Sequence, residues 1–74
     1  MIGPDARDAV PALAEALGDG KWSVRRQAAL ALGEIGPAAG PALPRLEQLR
    51  RDPDSLVRKA AAAALDKIHP RAGK

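Results

Sequence analysis

At 74 residues the chain holds one small domain at most, near the size where a single core barely outweighs chain entropy. It carries 12 basic and 9 acidic residues, a formal charge of +3, and no cysteine, which excludes disulfides and thiolate metal sites. Trp22 is the one aromatic residue, so the core must come from closely approaching helices rich in Ala, Leu, Val and Ile.

The longest apolar run, Ala60–Leu65, is far short of the roughly 20 residues that span a bilayer. No basic and apolar leader follows Met1, so no signal peptide is expected. A soluble, cytoplasmic protein is the expectation.

In chain order, a first helix is predicted over Asp5–Leu17, with Ala6, Val10, Leu13 and Leu17 on one stripe. Pro11 lies inside this pattern, removing a donor and clashing one turn back, so the helix should bend or start late. A second helix over Lys21–Ile35 carries Val24, Ala28, Leu32 and Ile35, with Asp19 as its expected N-cap and Gly36-Pro37 as its stop. A third repeats the first, with Ala39, Leu43, Leu46 and Leu49 inside and Pro44 in the place of Pro11. The fourth, Pro53–Ile68, carries Val57, Ala61, Leu65 and Ile68. Asp52 is its expected N-cap, Pro53 its first residue, and His69-Pro70 its stop, with His69 as a C-terminal cap. No stretch alternates with period two, so the chain reads as all-α.

A shift of 33 residues aligns the two halves without a gap and gives 18 identities in 41 pairs. Residue frequencies alone give roughly 5, so the repeat is genuine. The expected organisation is a single domain over 1–74, with repeats over about 4–36 and 37–69 and a tail over 70–74.

The strings Val24-Arg-Arg-Gln-Ala-Ala-Leu-Ala-Leu-Gly-Glu-Ile-Gly and Asp52-Pro-Asp-Ser-Leu-Val-Arg-Lys-Ala-Ala-Ala-Ala-Ala-Leu-Asp-Lys-Ile resemble HEAT-like repeats of the phycobilisome-lyase type. The resemblance covers nearly the whole chain. It implies an α-solenoid of two helix-pair repeats and speaks weakly to function, because the scaffold class is broad. It also implies that Asp19, Arg25, Asp52 and Arg58 form a ladder between adjacent repeats, ahead of anion binding by Arg25 and Arg58.

Two enzymatic branches of that resemblance fail on the residues. Deoxyhypusine hydroxylase holds two irons with repeated His-Glu pairs, whereas this chain has one histidine, His69, and no His-Glu dipeptide. A bilin lyase needs a chromophore pocket that two repeats without clustered aromatics hardly enclose. Ser23 and Ser55 have no histidine placed to activate them, and Gly18 and Gly20 flank a turn instead of forming a phosphate loop. No catalytic residue, metal or cofactor is expected.

In the resembling family the second helices line a concave face. Their outward positions here are Trp22, Ser23, Arg26, Gln27, Leu30 and Glu34, then Ser55, Leu56, Lys59, Ala60, Ala63 and Lys67. Trp22, Arg26 and Leu30 follow at i+4, and exposed Trp and Arg are common interface anchors. These twelve positions are the candidate protein-binding surface, although Trp22 reads equally well as packing over the seam between repeats.

Charge offers a rival. Residues 38–74 carry eight bases and four acids (+4), and residues 1–37 four and five (−1). Yet Glu47, Asp52, Asp54 and Asp66 interleave with Arg45, Arg50, Arg51, Arg58 and Lys59, and no stacking aromatic lies in the basic half, so nucleic-acid binding is disfavoured. The expected function is a protein-interaction or scaffolding module, with a self-assembling structural unit as the alternative. Two repeats leave end faces to be covered, and Ala60–Ala64 looks smooth on every side, so self-association through the ends is expected, as a symmetric dimer ahead of a head-to-tail stack or a helix swap.

Overall fold

The structure is a computed structural model that describes residues 6–68, with side chains from residue 8 onward. Its α-helices are α1 (Val10–Ala16), α2 (Trp22–Ile35), α3 (Leu43–Leu49) and α4 (Ser55–Ile68), and there is no strand among the described residues. Short 3-10 segments, Ala6–Ala9 and Gly36–Ala42, lead into α1 and α3. The expected stripe position Ala6 lies outside the described side chains, and His69 lies outside the described residues.

Pro11 and Pro44 explain the 3-10 segments. Each sits in the opening turn of its helix, where the missing N–H has no intrahelical acceptor in any case. The α-helix therefore starts late, one turn beyond the start of the apolar pattern. Gly36 ends α2 with φ +79, a conformation open to glycine, and its N–H returns to the Leu32 carbonyl.

The helices form two layers. α2 and α4 pack along each other, α1 lies against α2, and α3 against α4. The 3-10 segment Gly36–Ala42 contacts α1, α2 and α4, which accounts for the burial of Gly36, Ala39 and Ala42. Leu32, Leu46 and Val57 are fully buried at the centre. Around them lie Val10, Leu17, Leu49, Ile68 and a set of alanines.

Small residues set the distance between α2 and α4. A Cβ built on Gly33 would stand 3.1 Å from the Cα of Ala64 and 3.3 Å from its Cβ. Ala64 is buried there, and Ala29, Ala60 and Ala61 are buried as well. The expected smooth, open Ala60–Ala64 segment is corrected accordingly: Ala60, Ala61 and Ala64 face inward, and Ala62 and Ala63 face solvent.

Five expected core positions, Leu13, Val24, Ile35, Leu43 and Leu65, are only half-buried. Their counterparts in the other repeat, Leu46, Val57, Ile68, Val10 and Leu32, are buried. The seam between repeats covers one member of each pair and leaves the other on an outer flank. The helix starts also differ from expectation. Asp19 and Asp52 lie before the helices as turn residues, and Pro53 belongs to the turn as well.

Candidate functional site

The two Asp turns are built alike. Asp19 Oδ1 accepts the Lys21 N–H at 2.8 Å, and Asp52 Oδ2 accepts the Asp54 N–H at 2.9 Å. An arginine six residues on clasps each turn from above. Arg25 donates from Nη1 to the Asp19 carbonyl at 2.8 Å, and Arg58 from Nη1 to the Asp52 carbonyl at 2.7 Å. Arg58 also reaches the Pro53 carbonyl at 3.1 Å.

Between the repeats, Arg25 makes a two-pronged pair with Asp52. Nε donates to Oδ1 at 2.8 Å and Nη2 to Oδ2 at 3.1 Å. The Arg25 side chain is 16% exposed and that of Asp52 5%, so this pair is withdrawn from water. Burial pushes the Asp52 carboxyl up, but the Arg25 hydrogen bonds, the Asp54 amide and the charges of Arg25 and Arg58 outweigh it. The net result is a carboxyl below its ordinary range. Of the four residues Asp19, Arg25, Asp52 and Arg58, the structure thus joins Arg25 to Asp52. Among the described residues Asp19 and Arg58 contact only their own turns.

Asp54 is a residue that the sequence reading missed. Its Oδ1 accepts the N–H groups of Leu56 and Val57 at 2.8 and 3.1 Å, making it the side chain that caps α4. The signal was present, an aspartate immediately before Ser55-Leu56-Val57, but Asp52 competed for the same role. At the equivalent place in the first repeat, Lys21 caps α2 with no side-chain bond.

On the outward side of α2 and α4, Trp22 is 45% exposed, Leu56 43% and Leu30 36%. Trp22 is therefore not a core residue. Ser23, Gln27, Glu34, Ser55, Lys59, Ala63 and Lys67 are also exposed, and Arg26 is half-buried. Glu34 and Lys67 meet across this face at 3.3 Å. Ala60 is the exception. At 4% exposure it is buried, because it lies only three residues from Val57 and one turn before Ala64 on the buried side of α4.

The depressions of the surface are open and charged. One of about 560 Å³ is lined by Glu47, Gln48, Arg50 and Arg51 at the end of α3. Another of about 350 Å³ lies among Arg50, Ser55, Arg58, Lys59 and Ala62. Among the described residues no three His, Cys, Asp or Glu side chains gather as metal ligands, and no helix is long and apolar enough to cross a membrane.

No match was found among curated proteins, and none among solved structures. A family model described as HEAT repeats matches residues 2–66. That match spans most of the chain and takes in α1 to α3 and nearly all of α4. The chain belongs to the HEAT repeat family.

Proposed function

We propose that the chain is a protein-interaction module that receives its partner on the outward face of α2 and α4. HEAT repeats generally mediate protein–protein interaction or scaffolding. The observation that carries the finer reading is the exposure of Trp22, Leu30 and Leu56 in a protein whose buried core is aliphatic. An exposed indole and two leucines beside Arg26 and Lys59 suit a partner segment with apolar and acidic side chains. Leu30, Arg26 and Glu34 on α2, and Leu56, Lys59, Ala63 and Lys67 on α4, form its two sides.

The test is binding of a captured partner to wild type and to Trp22→Ala and Leu30→Asp, with thermal melts in parallel. Loss of binding with unchanged melts supports the reading. Unchanged binding by both variants sinks it.

A second reading, self-association through the flanks, is favoured by the half-exposure of Val24, Ile35 and Leu65 where their counterparts are covered. Nucleic-acid binding has less support, since Glu47 and Asp54 stand among the bases of the second half.

A further inference from the structure

The internal seam shows what an arginine and an aspartate at these positions do when two repeats meet. Arg25 is held by the turn before its own helix, and the remaining edge of its guanidinium grips Asp52 of the following repeat. Asp52, in turn, is oriented by its own Asp54 amide. Shifted by 33 residues, the same two half-sites recur on opposite flanks, without a partner among the described residues. Arg58 is held by the Asp52 carbonyl through Nη1, as Arg25 is held by that of Asp19, and its Nε and Nη2 have no protein acceptor among the described residues. Asp19 is oriented by the Lys21 amide, as Asp52 is by that of Asp54, and no described arginine reaches its carboxylate. Each half-site thus repeats the turn contacts made by its counterpart in the closed pair.

We propose that two copies of the chain join head to tail, the Arg58 guanidinium of one gripping the Asp19 carboxylate of the next as Arg25 grips Asp52. This deepens the self-association reading and rests on it. Beside the two half-sites lie half-buried apolar residues, Val24, Ala31 and Ile35 on α2 and Leu65 on α4, with the exposed Ala62 next to them. Charge selects the polarity. The half that carries Asp19 is net −1 and the half that carries Arg58 net +4, so unlike ends attract. A two-fold dimer through the Arg58 flank would instead bring the Arg58 and Lys59 charges of both copies into one interface.

The contact between copies is weaker than the internal seam for a specific reason. Gly33 lies against Ala64 and Lys67, and its missing side chain permits the close approach. Asp66 holds the Gly33 position on the outer flank, and the 33-residue shift sets it against Ala31 and Glu34 of the next copy. Both its bulk and its charge oppose closure there, which makes the assembly reversible and concentration-dependent.

The experiment is sedimentation equilibrium on the 74-residue chain across a wide concentration range, with melts at low concentration to check folding. Wild type should gain mass with concentration. Arg58→Asp and Asp19→Arg should each remain monomeric where wild type associates, because each sets like charges face to face. An equimolar mixture of the two should recover association, since one junction is then native and the other has its charges swapped. Asp19→Asn keeps an acceptor for the Lys21 amide but loses the charge, and should weaken association about tenfold. Asp66→Gly should strengthen it several-fold. A wild type that stays monomeric at every concentration overturns the self-association reading itself. Association of wild type that persists in both charge-reversal variants, or that Asp66→Gly leaves unchanged, overturns the Arg58–Asp19 junction alone.

Discussion

Lys21 and Asp54 occupy the same place in their repeats, and only Asp54 lends a side chain to the helix that follows. Asp54 Oδ1 takes the amides of Leu56 and Val57, whereas the N-terminal amides of α2 receive no side-chain acceptor from Lys21. Lys21 already has the extended backbone of a capping residue, φ −92 and ψ 126, and its charge is the wrong sign for a helix N-terminus. Lys21→Asp should raise stability by about 1 kcal/mol, and Asp54→Ala should lower it by about 1 kcal/mol. Urea midpoints of the two variants check both signs.

Removing one side of the Arg25–Asp52 pair strands a buried charge. Arg25→Met should cost about 3–5 kcal/mol, enough to unfold much of so small a domain. Arg25→Lys should recover part of the loss, because an ammonium supplies charge without the two-pronged fork. Combining Arg25→Met with Asp52→Asn should cost less than the sum of the single changes. A double-mutant cycle in urea measures that difference.

The same carboxyl gives the fold an acid limit. Its folded pKa lies below that of the unfolded chain, so the unfolded chain binds more protons as pH falls. The stabilisation is complete above the ordinary aspartate range, near pH 4, and is lost as pH drops through the folded value. Stability should therefore decline with acid below about pH 5. Asp52→Asn should flatten that decline, as followed by urea melts at a series of pH values.

α2 and α4 approach closely at Gly33 and Ala64, where a Cβ on Gly33 would stand 3.1 Å from the Ala64 Cα. A Gly33→Val side chain has Ala64 backbone in its way and must push the helices apart, at a cost of about 1–3 kcal/mol. The counterpart of Gly33 in the second repeat is the exposed Asp66, where Asp66→Val should change the melt at low concentration far less.

Trp22 and Leu32 should separate surface from core. Leu32 is fully buried, and Leu32→Ala should cost about 2–5 kcal/mol. Trp22→Ala should change stability by no more than about 0.5 kcal/mol. The wild-type indole should also be readily quenched by acrylamide, which a fluorescence titration reads directly.

The helix pairs were legible in the sequence because the 33-residue self-similarity and the stripe Val57, Ala61, Ile68 carry the same period. The late starts of α1 and α3 followed from Pro11 and Pro44. What a single stripe does not show is that α2 and α4 each bury a second face. Ala29, Gly33, Ala60 and Ala64 belong to that face, and alanine and glycine mark no side by hydropathy alone. Ala60 was for this reason placed on the outward surface. The candidate surface itself was legible only as what the core left over. Its exposed Trp22, Leu30 and Leu56 stand out by size, whereas Asp54 was hidden by the nearer-looking cap Asp52.

Arg25 reaches 27 residues along the chain to Asp52, whose carboxylate also closes the turn that opens α4. That carboxylate is answerable to both repeats. If the first repeat frays, the second keeps its helix but holds an unneutralised charge at its base. If the second frays, the guanidinium loses its acceptor. A half-folded chain is thus penalised from either direction, and the two repeats should melt in a single transition, with matched enthalpies by calorimetry and by van't Hoff analysis. Amide exchange at Asp54 should slow only to the rate of that common opening, so one proton in the second repeat keeps time for the first.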